Sequence, residues 1–337
     1  MLRVAVIGAG RVGSIRTREV ARSADARLVA VVDTDEARAQ ELANAYGCAA
    51  SDDWEQSVTH AGIDAVVVAT PHNWLAPITL AALRAHKHVL CEKPLASTSQ
   101  EAERLVQCAS ENGTKLKTGF NHRHHPAIKA AHGLASGGQI GRLLCIRCRY
   151  GHGGRAGYER EWRTDPGQSG GGELLDQGVH ALDLFRWFLG DFSEMQAMLG
   201  HFFWPTAVED NVFCTLRTPR GQVASLHASW TQWKNLFSFE VFGDEGYVGV
   251  EGLGGSYGRE RLVIGHRAPN FGTPREEVVE FEQDSSWADE WKEFVSAIRE
   301  DRAPLGDGRD GWEALRLVQA AYESAEHGQR VRLQAHA

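Results

Sequence analysis

The sequence predicts two domains: a doubly wound α/β parallel sheet over residues 1–121, then an α+β domain over residues 122–337 built on a large, mostly antiparallel open sheet, with C-terminal helices that either stay with it or pack back on the first domain. Three observations carry that prediction. Short apolar, β-rich runs alternate with helical patterns through the first 120 residues, and such alternation calls for a parallel sheet covered by helices on both faces. A glycine-rich turn, Gly8-Ala9-Gly10-Arg11-Val12-Gly13, joins the first strand to the first helix. In the second half, strand-like runs follow one another across turns such as Gly243-Asp244-Glu245-Gly246 with no helix between them, as hairpins require.

Taken in order, the first domain reads as strand Leu2–Ile7, helix Val12–Arg22, strand Leu28–Val32, helix Glu36–Tyr46 and strand Ala65–Ala69. It continues as helix Trp74–Ala85, strand His88–Cys91, helix Ser99–Asn112 and strand Lys115–Phe120. The strands are almost wholly apolar, as strands buried on both faces should be. In the second domain a strand runs from Leu143 to Tyr150, and a helix from Glu173 to Leu189 is started by a glycine run and stopped by Gly190. Strands are expected over Met195–Phe203, Asn211–Leu216, Gln222–Ser229, Leu236–Phe242, Gly246–Val250, Leu262–Ile264 and Val278–Phe281, and closing helices over Trp287–Arg299 and Asp310–Glu326.

Composition excludes several classes. Among 337 residues, 36 Lys and Arg against 44 Asp and Glu give a net charge of −8, with the signs interleaved, so nucleic acid and anionic membranes are poor partners. No run approaches the ~20 apolar residues of a membrane helix, and the opening lacks the pattern of a secretory signal, which points to the cytoplasm. Six cysteines, at 48, 91, 108, 145, 148 and 214, sit mostly in apolar or strand-like runs, which fits reduced, buried thiols. Cys145 and Cys148 lack a second pair at zinc-site spacing, and the imidazoles of His122-Arg123-His124-His125 diverge with no completing ligand nearby, so no metal is expected.

The Gly8, Gly10 and Gly13 pattern after a strand is a dinucleotide turn: the first glycine permits the tight turn, the second lets backbone approach a pyrophosphate, and the third allows close helix packing. Arg11 and Val12 open the helix, whose N-terminal N–H groups favour anions. Asp33 ends the second strand 20 residues after Gly13, where a carboxylate accepts from an adenosine ribose 2′-OH. It would repel a 2′-phosphate, and Thr34-Asp35 offers no arginine, so NAD is favoured over NADP. Asp33 alternatively caps the next helix, a task Thr34-Asp35 can fill instead.

On the helix from Glu173, the residues Leu174, Leu175, Val179, Leu182, Phe185, Phe188 and Leu189 cover a broad apolar arc, while Glu173, Asp176, His180 and Asp183 line the opposite narrow stripe. Asp176 and His180 stand four apart. Such a stripe is either a solvated face or a site.

The fifth strand runs into Cys91-Glu92-Lys93-Pro94 at the carboxyl edge of the sheet. With the glycine turn, this Glu-Lys-Pro resembles the signature of the Gfo/Idh/MocA family of nicotinamide-dependent oxidoreductases. A second block matches it: Trp162-Arg163-Thr164-Asp165, then Ser169 through Asp183 with Gly170-Gly171-Gly172, Asp176 and His180, closing at Trp187-Phe188-Leu189-Gly190. Gly119-Phe120-Asn121-His122-Arg123 is a looser match that marks the domain boundary.

The resemblance spans nearly the whole chain and implies a Rossmann domain, NAD as cofactor, and Lys93, Asp176 and His180 around the nicotinamide. It also implies that Thr70 and Pro71 line the dinucleotide cleft, that Glu92 lies near the nicotinamide ribose or pairs with a neighbouring base, and that Trp162 and Arg163 approach the cofactor. Lys93, Asn121, Arg155, Trp162, Asp176 and His180 are then the residues expected to meet substrate. In one departure, Leu75 stands where the family often has histidine.

Alcohol oxidation needs a base at neutral pH, which suits histidine. His180 is expected to take the hydroxyl proton, Asp176 to bind substrate and steady the imidazole, and Lys93 to hydrogen-bond the reacting oxygen or to act as the acid/base itself. The expected activity is NAD-dependent hydride transfer to or from a secondary alcohol or ketone of a cyclitol, sugar or sugar derivative. The alternatives are a nucleotide-sugar or antibiotic-sugar oxidoreductase receiving phosphate near Arg155 and Arg160, and a non-catalytic dinucleotide-binding regulator. Phe202, Phe203, Trp204, Trp230 and Trp233 point to a homodimer or homotetramer through the second sheet.

Overall fold

The structure is a computed structural model that describes residues 1–334; residues 335–337, the end of the expected second domain, lie outside the described residues. The chain divides into two compact units. The first comprises Met1–Asn121, Gly167–Gly170 and Trp287–Leu315, and the second His122–Pro166, Gly171–Ser286 and the chain from Arg316 onward.

The first unit alternates β1 (Leu2–Ile7), α1 (Arg11–Arg22), β2 (Ala26–Val32), α2 (Glu36–Tyr46), β3 (Ala49–Ser51), α3 (Trp54–Thr59), β4 (Ala65–Val68), α4 (His72–Arg84), β5 (His88–Glu92), α5 (Ser99–Glu111) and β6 (Leu116–Gly119). Its strands lie in the order β3-β2-β1-β4-β5-β6, all parallel. The order reverses between β1 and β4, and open sheets of this Rossmann type bind ligands beyond the carboxyl ends of the strands at that reversal. Val4, Val6, Ala65 and Val67 pack with Val20, Trp291 and Phe294 in one core cluster. Local sequence sets the helix starts: Asp35 caps α2 by accepting from Arg38 N–H, and Thr98 with Glu101 forms a reciprocal capping box at α5. The three-residue β3 and six-residue α3 were not expected, being too short to show a periodic pattern.

The second unit begins with α6 (Pro126–Ser136) and β7 (Leu143–Gly151); past the short α7 (Pro166–Ser169), whose last three residues belong to the first unit, come a π-helical turn (Leu174–Gly178) and α8 (Val179–Leu189). Seven strands follow: β8 (Glu194–Gly200), β9 (Asn211–Arg217), β10 (Val223–Ser229), β11 (Leu236–Gly243), β12 (Gly246–Glu251), β13 (Glu260–His266) and β14 (Arg275–Phe281). The chain closes with α9 (Ser286–Arg299), α10 (Gly308–His327) and β15 (Val331–Arg332). The nine-stranded sheet has the order β14-β13-β12-β11-β7-β10-β9-β8-β15. Its β7–β10 pair is parallel and the other pairs are antiparallel. The apolar arc of α8 packs on this sheet, with Phe188 and Phe239 ring centroids 5.2 Å apart.

Several expectations are corrected. The helix expected over Glu173–Leu189 forms without a break, but its first turn is π-helical over Leu174–Gly178 before it continues as α8, a single π turn of the kind found inside α-helices. The strand expected to reach Phe203 stops at Gly200, since the Asp210 carboxylate takes the N–H groups of Phe202, Phe203 and Trp204 and curls the chain into a loop. Trp230, read as an outer-face aromatic, is fully buried with Tyr158 and Val208, whereas Phe202, Phe203 and Trp233 are exposed. Among the described residues no helix is long and apolar enough to cross a membrane.

Candidate active site

In the first unit the glycine turn is shaped by backbone sterics. Gly8 has φ +100°, and a Cβ there would sit 2.3 Å from the Ala69 carbonyl oxygen; at Gly13 it would sit 1.7 Å from the Gly8 carbonyl oxygen. A Cβ at Gly10 would meet nothing within 4 Å among the described residues. No side chain caps α1 at Gly10, so its first N–H groups have no side-chain acceptor at the cap. After β4, the buried Thr70 hydroxyl has no hydrogen-bond partner among the described residues. An open glycine, an uncapped helix N-terminus and an unsatisfied hydroxyl fit a dinucleotide phosphate. Asp33 is held in place: Oδ2 accepts from Ala9 N–H at 2.6 Å and Oδ1 from Asp35 N–H at 2.9 Å. The capping alternative falls to Asp35. Arg11 is exposed and Val12 partly so.

At the carboxyl end of β5, Glu92 is buried and ion-paired to the fully buried Arg16 at 2.6 Å, and Arg16 bonds Glu290 at the same distance. Burial pushes the Glu92 carboxyl above the usual range, against the pull of Arg16. The strand-end pairing is thus realised, joining α1, β5 and α9. Lys93 follows, half-buried, and Pro71 directly precedes α4. Leu75 is fully buried, while His72 Nδ1 lies 2.8 Å from the Ser169 carbonyl oxygen. Asn121 is buried where a 3-10 turn, Asn121–His124, begins.

In the second unit the polar stripe is not a solvated face: Glu173, Asp176, His180 and Asp183 are 0%, 7%, 5% and 2% exposed. Each of the last three has a charged or aromatic neighbour. Arg163 Nε lies 3.3 Å from Asp176 Oδ2, its guanidinium 4.6 Å over the Trp162 ring. The His180 ring stacks on His122 at 3.8 Å between centroids. Arg123 grips Asp183 with two hydrogen bonds of 2.8 and 2.6 Å. Arg155 pairs with Glu161 at 2.6 Å and Arg160 with Glu159 at 3.3 Å, so both arginines expected to await phosphate hold acids. Burial pushes the nearby Tyr158 phenol up and the His152 imidazole down.

Within the histidine cluster, His125 Nδ1 lies 2.8 Å from Glu260, and the His122 and His125 rings meet edge to face at 5.6 Å between centroids, so these two imidazoles do not diverge as expected. Among the described residues no three His, Cys, Asp or Glu side chains are grouped to hold a metal.

Sequence reasoning missed Glu209. Its carboxylate accepts from Gly172 N–H and Leu174 N–H, both at 3.1 Å, and from the Tyr322 hydroxyl at 2.9 Å, while its carbonyl accepts from Glu173 N–H. It therefore anchors the π turn that bears Asp176. No periodic signal marks it, since it lies between strands and 35 residues from Leu174.

Residues 2–120 match the model of an oxidoreductase family with an NAD-binding Rossmann fold, and residues 128–249 match the GFO/IDH/MocA C-terminal domain. The chain belongs to the GFO/IDH/MocA oxidoreductase family. It is an enzyme, and its cofactor is NAD. It is 28% identical over 344 residues to the inositol 2-dehydrogenase of Rhizobium meliloti (strain 1021), covering 98% of each chain. It is 29% identical to the 1,5-anhydro-D-fructose reductase of Ensifer adhaerens, covering 99% of each. A levoglucosan dehydrogenase in complex with NADH superposes with a TM-score of 0.91 at 25% identity, covering 99% of this chain and 100% of that one.

Proposed function

We propose that this enzyme oxidises a secondary alcohol of a cyclitol, sugar or sugar derivative, or reduces the matching ketone. The observation that carries the reading is the buried polar stripe: a base, a carboxylate and their partners withheld from water in a family whose relatives include inositol and levoglucosan dehydrogenases. Bound NAD supplies the hydride acceptor. Gly8, Gly10, Arg11, Val12 and Gly13 with Thr70 and Pro71 are assigned to its phosphates and cleft, Asp33 to the adenosine ribose, and Glu92, Trp162 and Arg163 to the nicotinamide end. Asp33 also favours NAD over NADP.

In this reading the His180 imidazole takes the substrate hydroxyl proton as hydride leaves the same carbon, which balances the alcohol against the ketone. Asp176 accepts from a neighbouring substrate hydroxyl, and Lys93 donates to the reacting oxygen as its negative charge develops. Asn121, Arg155 and Trp162 contribute to the substrate pocket. The first unit serves as the dinucleotide domain and the second as the substrate and assembly domain. The sheet face bearing Met198 and Phe213, which pair across β8 and β9 and are both exposed, is assigned to a homodimer or homotetramer, and the free thiols to a reducing cytoplasm.

The test is reduced-nicotinamide absorbance across cyclitols, sugars and nucleotide sugars, with Lys93→Ala and His180→Ala in parallel. A substrate-dependent rise lost in both variants supports the reading; a rise surviving in both overturns the site. Light scattering at micromolar concentration checks the assembly, and a monomer throughout overturns it.

A further inference from the structure

The motif His122-Arg123-His124-His125 has no place in the chemistry above, yet its side chains meet the polar stripe in order. Arg123 holds Asp183 with a two-point ion pair, and one residue earlier the His122 ring lies face to face with His180, 3.8 Å between centroids and 17° from parallel. Both imidazoles are buried, at 6% and 5% exposure. The 3-10 turn therefore grips α8 at two positions three residues apart, by a charge at one and by an aromatic face at the other.

We propose that His122 is a positioning residue: its ring is the platform that holds the His180 imidazole in one plane. The assignment rests on the reading of His180 as the base. A platform must itself be fixed, and His122 is. Its Nε2 lies 3.0 Å from the Tyr150 hydroxyl, and the Tyr150 ring packs 5.3 Å between centroids from that of Tyr257, whose hydroxyl accepts from Gln177 Nε2 at 2.6 Å. That chain returns to the π turn carrying Asp176, so the platform and the turn are tied to each other. Phe237 closes against the His122 ring edge-on at 5.9 Å.

The physical role follows from ring geometry. An imidazole on a helix rotates about its χ1 and χ2 torsions, and the second of these is broad. Stacking against a fixed ring confines that torsion, and proton transfer depends on the lone pair pointing at the hydroxyl.

Two reciprocal variants separate the stack from the hydrogen bond: His122→Phe keeps an aromatic face and loses the bond to Tyr150, while His122→Gln keeps a polar group and loses the face. The full-length protein, labelled at histidine, is followed by NMR with His180 assigned by its loss in His180→Asn. The His180 ring protons are expected upfield in the wild type and in His122→Phe, and displaced downfield in His122→Gln. In turnover, kcat of His122→Gln is expected to fall by about 10- to 100-fold, with KM for NAD unchanged and kcat of His122→Phe largely retained, the scale of a misaligned reacting group. Wild-type ring signals or wild-type kcat in His122→Gln overturn the assignment, as does an equal loss in both variants. Full kcat in His180→Asn overturns instead the reading of His180 as base, and the catalytic half of this assignment with it.

Discussion

The glycine turn of the first unit and the polar stripe of the second are held in opposite ways. The turn is set by atoms that are missing: Gly8 and Gly13 have no room for a Cβ, and their obstructing atoms come from Ala69 and from Gly8 itself. The stripe is set by partners that are present, with Arg123 on Asp183, His122 on His180 and Arg163 on Asp176. A steric turn is legible in a few adjacent residues. A stripe held by partners up to 60 residues away is not.

The comparison breaks most sharply at Asp183. Asp183→Ala would take the two-point carboxylate partner from the buried Arg123 guanidinium, and breaking one side of a buried pair costs about 3–5 kcal/mol; chemical denaturation measures it, and a cost below 1 kcal/mol would show that the stripe does not depend on that partner. Next is Gly13→Ala, where the backbone must move to admit the new carbon, at about 3 kcal/mol of overpacking, read as a lowered melting temperature together with weakened NADH binding. Gly10→Ala sharpens the contrast: with open space at that position, melting should stay within about 0.5 kcal/mol of the parent, while NADH fluorescence titration shows weaker binding.

Acid should act unevenly on the two units. Burial lowers the imidazole pKa of His88 in the first and of His132, His152 and His227 in the second below the ordinary 6.5. The unfolded chain then binds protons that the native one refuses, so these groups leave stability intact above pH 6.5 and erode it as pH falls through their depressed values. Hydrogen exchange across that window should show the second unit loosening first; uniform loss would count against it. The smallest effect concerns thiols. Burial pushes Cys91 and Cys214 up to about 12, so at about pH 8 a thiol reagent should label half-buried Cys145 before either, and reach those two only on unfolding.

Periodicity and turn chemistry determined much of this protein without any structure. The alternation placed β1 and α2 at their observed limits and α1, β2 and α5 within two residues, because local spacing of apolar residues records which positions share a face. The Gly8, Gly10 and Gly13 spacing, the acid at Asp33 and the Glu92-Lys93-Pro94 run are local as well. Tertiary structure alone decided what covers each face. Helical spacing put Glu173, Asp176, His180 and Asp183 on one stripe but left open whether water or protein lay against it, and the 3-10 turn at His122 answered that. Trp230 and Phe203 look alike in sequence, but one is core and the other exposed, because Asp210 diverts the Phe202–Trp204 chain out of the strand. Glu92 meets Arg16 from 76 residues away, and Glu209 anchors the π turn from another loop. Such pairings depend on where the chain returns in space, and residues distant in sequence carry no mark of it until the sheets have formed.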